Sequence, residues 1–285
     1  NLLTGHIHNI QAFEKFGAFE FLEGDITDPT VCAKACEGIE YISHQAALGS
    51  VPRSIKNPLA TNDTNVTGFI NMLVAAKDAG VKGFVYASSS SVYGDAKALP
   101  KIEGEEGAPL SPYAVSKKAN ELYANVFHKV YGLPVVGLRY FNIFGPRQDP
   151  NGQYAAVIPL FVKHSLSKDP VWIDGDGEQT RDFTFVLNAV MANIRAMVNA
   201  KEEAFGQVFN IAVGKNFSVN YLYQKIVDHL GLPNSAQHRE ARKGDIKNSL
   251  ADVSKATEMI GYKPQVSFEE GLPMTIDYFK EKFSS

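Results

Sequence analysis

The sequence predicts an α/β protein in which helices cover both faces of a parallel sheet. Short apolar segments of strand length alternate with longer helical segments along the first half, as in consecutive βα units. A second observation is size, because 285 residues with 45% hydrophobic and 21% charged side chains can bury a sizeable core. The third is that glycine and proline fall where the predicted helices end.

Taken in order, the elements of the first half build most of this sheet. They are a strand at 19–23, a short helix after Asp28–Pro29, a strand at 41–47, a helix at 65–79 ended by Gly80, a strand at 84–87, a helix at 113–131 ended by Gly132, and a strand at 134–141. The second half is less regular and is expected to form a cap against the first. Its elements are strands at 171–173, 181–185 and 208–211 and helices at 187–199, 219–230 and 268–283.

Charge and composition exclude several classes of protein. The formal net charge of −3, with both signs mixed along the chain, gives no basic stripe for nucleic acid. No apolar run approaches the ~20 residues of a membrane span. Cys32 and Cys36 have no second pair at metal-ligand spacing, so we expect reduced core thiols, which suit a cytoplasmic protein.

Tyr113 and Lys117 are the strongest candidates for catalytic residues. Their spacing of four places them one turn apart on one helical face. An ammonium held there favours a nearby phenolate, lowers the tyrosine pKa from about 10 and makes the residue useful as a general base. Ser111–Pro112 is a good helix start, and the strand upstream ends in four hydroxyls at 88–91. We therefore predict a catalytic site here.

Several longer stretches resemble a known family. They are His44–Ser54, Leu138–Gly152, Tyr154–Pro159, Asp174–Asp182 and Arg242–Asp245. In these the chain resembles, over essentially its whole length, the extended short-chain dehydrogenase/reductases that act on nucleotide sugars. The closest likeness is to bacterial UDP-N-acetylhexosamine (or uronate) 4-epimerases of surface-polysaccharide synthesis. The resemblance implies a Rossmann-type doubly wound parallel sheet with a smaller C-terminal α/β substrate-binding cap.

The same resemblance implies a division of the chain and a set of ligands. An NAD-binding domain is expected at 1–145, with a strand and helix returning from about 187–213, and residues 146–285 are expected to be mainly substrate-binding. NAD is the expected cofactor and a UDP-sugar the expected substrate of a cytoplasmic homodimer. The residue that would distinguish NAD from NADP falls before Asn1.

The beginning of the chain departs from the pattern of this fold. Such a sheet opens with a strand and a glycine-rich turn, and residues 1–5 look instead like the loop after a second strand. We therefore expect about 30 to 45 further residues upstream. Since those residues would hold the NAD pyrophosphate and supply the middle strand, we expect residues 1–285 made alone to bind NAD poorly, to have little activity and to aggregate.

The resemblance also assigns roles to individual residues. Tyr113 is the expected base, Lys117 holds the phenol and the nicotinamide ribose, and Ser89 hydrogen-bonds the reacting oxygen. The other cofactor-binding residues are expected to be Asp25, Ile26, Gln45, Ala46, Ala47, Asn65 and Tyr140. The expected substrate-binding residues are Gly49, Ser50, Ser90, Ser91, Asn142, Gln148, Ala156, Val157, Trp172, Asp174, Arg181, Arg242 and Asp245.

Within the substrate set, Trp172 and Asp174 are expected at the uracil, and Arg181 and Arg242 at the phosphates. Gly49, Ser50, Ser90, Ser91 and Gln148 are expected around the hexose and its N-acetyl group. Two positions depart from the family pattern. Val92 replaces a small polar residue, and Asp174 stands where an amide would suit neutral uracil better. His44 is interpreted as a hydrogen-bonded histidine at a strand end, and Trp172 as either a core or a stacking residue.

These expectations lead to an isomerase that inverts C4 of a UDP-N-acetylhexosamine, or of its uronic acid, through a 4-keto intermediate. Dehydratases and decarboxylases need an acid near the catalytic hydroxyl, and Ser90 and Ser91 cannot supply that proton at neutral pH. Among the alternatives, a dehydratase or a decarboxylase is therefore less favoured than a UDP-glucose or UDP-glucuronate 4-epimerase. A catalytically silent NAD-binding protein is the alternative from another class.

Overall fold

Strands and helices alternate in the first half and become shorter in the second. The structure, a computed structural model, describes residues 1–150, 156–241 and 247–284. The strands are β1 Tyr41–His44, β2 Gly83–Ser89, β3 Val135–Tyr140, β4 Ile143–Phe144, β5 Trp172–Asp174, β6 Thr180–Arg181, β7 Thr184–Phe185, β8 Val208–Ile211, β9 Phe217–Ser218 and β10 Gln237–Arg239. The helices are α1 His8–Gln11, α2 Pro29–Cys36, α3 Val51–Lys56, α4 Pro58–Asn62, α5 Gly68–Ala79, α6 Pro112–Tyr131, α7 Val157–Ser167, α8 Val186–Val198, α9 Val219–Leu230, α10 Ser254–Ile260 and α11 Phe268–Ser284.

The main sheet is parallel and has the strand order β1-β2-β3-β8. In its register Tyr41 lies opposite Gly83, Phe84 opposite Val135, and Gly137 opposite Val208. β2 is buried along most of its length, as expected for a central strand with helices on both faces. The predicted α/β class and parallel sheet are therefore confirmed.

Each face of the sheet carries its own hydrophobic core. On one face, β-strand side chains pack with α2, α5 and α6, and Cys32 and Cys36 lie in this core as buried free thiols. On the other face they pack with α8 and α10, including Ile260 and Tyr262. A separate core joins α7, α9 and α11 around Phe144, Phe183 and Phe268. Thus α10, although late in the chain, packs on the sheet.

The strand predicted at 19–23 is not formed. Residues 19–23 belong to no helix or sheet, and Phe19 and Phe21 are exposed. A strand needs a partner to satisfy its backbone hydrogen bonds, and no described residues pair with this segment. The prediction was wrong because an apolar pattern shows where a strand can form but not what lies beside it.

The helices end close to their predicted positions because local capping determines their ends. The Ser111 side chain accepts a hydrogen bond from the Ala114 amide at the start of α6, and Gly132 ends the helix in the left-handed conformation. The helix predicted at 65–79 begins earlier, because a π-helical turn at Asp63–Thr67 joins α4 to α5. Among the helices of the described ranges, none combines the length and apolarity needed for crossing a bilayer.

Candidate active site

The carboxyl ends of neighbouring parallel strands meet at one edge of the sheet, where α/β proteins usually bind ligands. β1, β2 and β3 end there at His44, Ser89 and Tyr140. α6 packs beside them and presents Tyr113 and Lys117, both in its first two turns. The fold therefore brings Ser89 of β2 to the same edge as Tyr113 and Lys117 of α6.

The catalytic side chains already interact with β2. The Ser89 hydroxyl lies near enough to the Tyr113 phenol to lower the pKa of that phenol. The Lys117 ammonium is buried and donates to the carbonyl of Ala87 over 2.7 Å. Ser89 also accepts a hydrogen bond from the Ser91 amide at 3.2 Å, which fixes the turn after the strand.

The predicted lowering of the Tyr113 pKa is not found. Burial raises the pKa of Tyr113 above its usual 10, and the hydrogen bond to Ser89 opposes this only in part. The reason is that Lys117 bonds to a main-chain carbonyl rather than to the phenol. Burial also lowers the pKa of Lys117 itself, to about 8, while the carboxylate of Glu121 opposes that change.

His44 lies under this site as a neutral side chain. Burial, followed by the nearby charge of Lys117, lowers the pKa of His44 to about 3. Its ring packs against Phe69 and Phe84. A base in this environment would not be protonated at any working pH, which agrees with the interpretation of His44 as a structural histidine.

The hydroxyls after β2 face different surroundings. Ser88 is buried and donates to Glu121 at 2.6 Å, away from the open edge. Ser90 is half-buried, and the buried hydroxyl oxygen of Ser91 has no hydrogen-bond partner among the described residues. Val92, the departure from the family pattern, is fully buried in a small core with Tyr93 and Phe141.

Gln45 and Tyr140, predicted at the cofactor, lie together in a polar cluster. The Tyr140 hydroxyl donates to Gln45 at 3.2 Å, and Asn193 of α8 donates to that hydroxyl at 2.7 Å. Asn193 was not predicted, because an asparagine within a mostly apolar helix carries no motif that indicates its contacts. Ala46 is exposed and Ala47 half-buried directly after β1, as a ligand-facing turn requires.

The other predicted cofactor residues have partners within the protein. Asp25 accepts hydrogen bonds from the Thr27 amide and hydroxyl, which lower its pKa. Ile26 packs closely against Gly68 of α5. Asn65 is buried, accepts from the Leu48 amide at 2.7 Å and uses its own N–H groups on the Leu48 carbonyl and on Ser116. In this arrangement the Asn65 amide fixes the turn after β1 to α6.

A pocket of about 280 Å³ lies beyond the strand ends, and five predicted substrate residues line it. They are Asn142, Val157, Trp172, Asp174 and Arg181. Trp172 is 42% exposed and is not the core residue that its size alone would suggest. A concave surface with an indole, two arginines and a carboxylate suits a ligand that has both an aromatic ring and an anionic group.

Asp182 holds one of these pocket residues and directly follows another. The Asn142 amide donates to the Asp182 carbonyl at 3.3 Å, and Asn142 has a positive φ of 38°, which asparagine tolerates better than most residues. Arg181 directly precedes Asp182 and donates to the carbonyl of Thr180 at 2.9 Å. The buried Asp182 carboxylate accepts from the amides of Val213 and Gly214 at 3.0 Å each, and of Ala251 at 3.3 Å. Burial nevertheless raises the pKa of Asp182 to about 6.

Other pocket residues were missed in the sequence. Arg239 forms an ion pair with Asp174 across the parallel pair β5–β10. Nothing local indicates that contact, because the two residues lie 65 positions apart. His164 and Leu160 extend the wall from Val157 at spacings of seven and three, so helical periodicity on α7 could have found them.

The remaining predicted residues lie outside this pocket. Gly49 is exposed, and the Ser50 hydroxyl accepts the Arg53 amide at the start of α3. Gln148 donates to the Ile143 carbonyl, and its own buried amide oxygen has no partner among the described residues. Ala156 is half-buried and precedes α7. Arg242 and Asp245 fall outside the described residues.

Comparison with known proteins identifies the family. The model of the NAD dependent epimerase/dehydratase family matches residues 4–212. The chain belongs to this family. It is 36% identical over 284 residues to a UDP-glucose 4-epimerase of Mycolicibacterium smegmatis. The aligned region covers 99% of this chain and 90% of that protein. The expected enzyme class, an NAD-dependent isomerase, and the expected resemblance are thereby confirmed.

Solved structures of family members have the same fold. A UDP-N-acetylglucosamine 4-epimerase from Methanobrevibacter ruminantium, in complex with UDP-N-acetylmuramic acid, matches with a TM-score of 0.91 and 38% identity over 99% of this chain and 89% of that one. A UDP-glucuronic acid 4-epimerase from Bacillus cereus, in complex with UDP-glucuronic acid and NAD, matches with a TM-score of 0.89 and 32% identity over 96% and 86%. These relatives differ in their sugars, so the family membership alone leaves the sugar open.

The residues at the strand ends fit the family's cofactor. The Lys117 ammonium has three N–H donors and gives one to Ala87, so others are left for ribose hydroxyls. The exposed turn at Ala46 and Ala47 allows a ligand to approach the backbone closely. Together these groups suit a dinucleotide that carries ribose hydroxyls.

Proposed function

We propose that the protein is a UDP-sugar 4-epimerase whose substrate is a UDP-N-acetylhexosamine or its uronic acid. The observation that carries the proposal is the placement of Ser89, Tyr113 and Lys117 at the edge of the sheet that also adjoins the pocket of Trp172 and Arg181. A reacting sugar bound there, with its nucleotide in the pocket, fits the two-part site. Supply of precursors for surface polysaccharide is the biological role that we propose with it.

The proposed chemistry assigns a role to each catalytic side chain. Bound NAD supplies reversible acceptance of the C4 hydride, which lets the sugar pass through a 4-keto state. Tyr113 removes the proton from O4 and later returns a proton to the same oxygen, acting in turn as base and acid. Ser89 donates a hydrogen bond to O4 and stabilises charge there. Lys117 lies one turn from the phenol, is held by the Ala87 carbonyl, and is assigned to the ribose hydroxyls through its remaining N–H donors.

Inversion requires that the hexose turn while the nucleotide stays bound. We assign the nucleotide to the 280 Å³ pocket, with Trp172 at the base and Asn142 and Arg181 at the diphosphate. Arg239 adds a second guanidinium through its pairing with Asp174. The proposed roles of Gly49, Ser50, Ser90, Ser91 and Gln148 are weak contacts to the hexose, which would not prevent its rotation. Residues 1–145 with 187–213 are proposed as the cofactor domain.

The choice among sugars is the first prediction. Gly49, which lacks a side chain, and the small Ser50 leave room for an N-acetyl group. The hydroxyls of Ser90 and Ser91 can form hydrogen bonds with that group. We expect UDP-N-acetylglucosamine or its uronic acid to be converted to its C4 epimer with a higher kcat/KM than UDP-glucose. Proton NMR of each reaction mixture measures kcat/KM for both substrates. A clear preference for UDP-glucose would contradict the N-acetyl assignment and favour the UDP-glucose alternative.

A homodimer is the proposed assembly. Leu122, Val126 and Val130 form an exposed apolar stripe on α6, and the exposed Ile55 and Leu59 lie on the neighbouring α3 and α4. The same patch on a second copy would cover it in a twofold arrangement. The buried free thiols Cys32 and Cys36 suit the proposed cytoplasmic location.

The dimer is tested by Val126→Glu, which places a charge in the middle of the stripe. We expect wild type to sediment as a dimer and the variant as a monomer. Lys225→Glu is the control, since it changes the charge of an exposed lysine on a different helix, α9, and should leave the dimer intact. Monomeric wild-type protein would contradict the proposal.

A further inference from the structure

One face of α6 contacts the last three residues of β2 with three side chains. Tyr113, Lys117 and Glu121 follow one another at a spacing of four and therefore share this face. Lys117 donates to the Ala87 carbonyl at 2.7 Å, and the Ser88 hydroxyl donates to Glu121 at 2.6 Å. The Tyr113 phenol lies near the Ser89 hydroxyl, which lowers its pKa. The proposed function uses Tyr113 and Lys117 and gives no role to Glu121.

Glu121 is itself held in place. Its carboxylate is buried and accepts two parallel hydrogen bonds from the Arg139 guanidinium, from Nε at 2.7 Å and from Nη2 at 2.8 Å. Such a planar pair fixes both the position and the orientation of a carboxylate. The Ser88 hydroxyl donates a third hydrogen bond, to the carboxylate oxygen that also accepts from Arg139 Nε. This bond links Glu121 to the residue before Ser89. A negative charge is thus fixed one helical turn beyond Lys117.

We infer that Glu121 is a positioning residue of this site, which keeps the Lys117 ammonium charged and fixes the end of β2 that carries Ser89. The inference rests on the proposed function only for the roles given to Lys117 and Ser89. Without a nearby anion, an ammonium that is 3% exposed would lose its proton more easily.

The charges around Lys117 support this assignment. His44 faces it from β1 and is neutral, and the Tyr113 phenol on α6 is protonated at neutral pH. Burial lowers the pKa of Lys117 to about 8, and Glu121 is the group that opposes this. On the far side of Glu121 lie Arg139 from β3 and the buried Tyr86 from β2, whose pKa burial raises.

The first experiment follows the Lys117 titration directly. Lysine labelled with carbon-13 at the ε position is observed by NMR against pH in enzyme without substrate, and Lys117→Arg assigns the signal. We expect Glu121→Gln to lower the Lys117 midpoint by roughly 1 pH unit or more. Glu106→Gln is the matched control, because Glu106 also binds Arg139 but contacts neither Lys117 nor Ser88. It should leave the midpoint unchanged.

A second measurement separates positioning from folding. The alkaline limb of kcat/KM should move to lower pH in Glu121→Gln and return in Glu121→Asp, which restores the charge. If Glu121→Gln does not fold, the double variant Glu121→Gln, Arg139→Met removes both charges, a change that proteins tolerate better than a broken pair. It should show the same downward shift, because Glu121 rather than Arg139 opposes deprotonation.

The outcomes are distinct from those of the proposed function. An unchanged Lys117 midpoint in Glu121→Gln, or equal shifts in Glu121→Gln and Glu106→Gln, overturns the inference. A lowered Lys117 midpoint in Glu121→Gln but not in Glu106→Gln supports the inference, even if no UDP-sugar is epimerised. A failure to epimerise any UDP-sugar would contradict the proposed function alone.

Discussion

Tyr113→Phe is expected to lower epimerase turnover by roughly 10²-fold or more, since a positioned general base contributes about that much. The substitution removes one hydroxyl, whose partner in the structure is Ser89. The ring remains in place on α6, so neither the helix nor the pocket of Trp172 and Arg181 should change. Turnover is measured by NMR with a UDP-hexosamine, and UDP binding is measured by calorimetry.

The control for this variant lies on the same helix. Tyr123→Phe removes an equivalent hydroxyl from an exposed ring that faces away from β2, and turnover should match wild type. UDP affinity should be the same in both variants, because the proposed nucleotide pocket is separate from the phenol. Full turnover in Tyr113→Phe would remove this residue from the mechanism.

Arg139→Met is expected to lower the free energy of unfolding by about 3–5 kcal/mol, which is the usual cost of removing one partner of a buried ion pair. Arg139 is 1% exposed and binds the carboxylates of both Glu106 and Glu121. Its guanidinium also lies over the Tyr93 ring, 4.9 Å from the centroid. Without it, two carboxylates would remain close together with little water around them. Chemical denaturation of the purified enzyme measures the change.

Two comparisons show whether uncompensated charge is the cause. The double variant Glu121→Gln, Arg139→Met should recover part of the lost stability, because one of the stranded carboxylates is gone. Lys118→Met removes a partly exposed partner of the same two acids and should cost less than about 1 kcal/mol. If Arg139→Met and Lys118→Met lowered the free energy of unfolding equally, burial of the guanidinium would contribute little to the cost of removing it.

Local signals were sufficient to predict most of the fold. β8 and α9 form at the predicted residues, and α6 begins at Pro112 and ends before Gly132 because its capping residues, Ser111 and Gly132, directly flank it. The segment 19–23 was assigned wrongly because pairing is a property of neighbours in space. The predicted strand at 181–185 is divided in two by the buried Asp182 and Phe183, whose contacts come from distant parts of the chain.

The residues of the candidate site likewise fall into those that local sequence signals could identify and those that depend on remote contacts. Tyr113 and Lys117 could be recognised because their spacing alone places them together. Trp172, Asp174 and Arg181 were placed by resemblance, and the structure brings them into one pocket. Arg239, Asn193 and Glu121 were missed, since each acts through a partner that is remote in sequence or has no motif. The direction of the Tyr113 pKa was also missed, because burial cannot be read from a spacing of four.

Asp182 has a consequence for how such an enzyme can be altered. Its carboxylate binds backbone amides just after β8 and at Ala251, while its carbonyl holds Asn142 and its neighbour Arg181 lines the pocket. The pocket of Trp172 and Arg181 therefore cannot be exchanged independently of the sheet. A chimaera that takes the pocket from one relative and the sheet from another would have to exchange residues 212–214 and 251 together with 180–185. Otherwise Asp182, which holds Asn142 and adjoins Arg181, would lose its backbone partners. Substrate range in this architecture should be easier to change at the rim, near Trp172 and His164, than by transplanting whole segments.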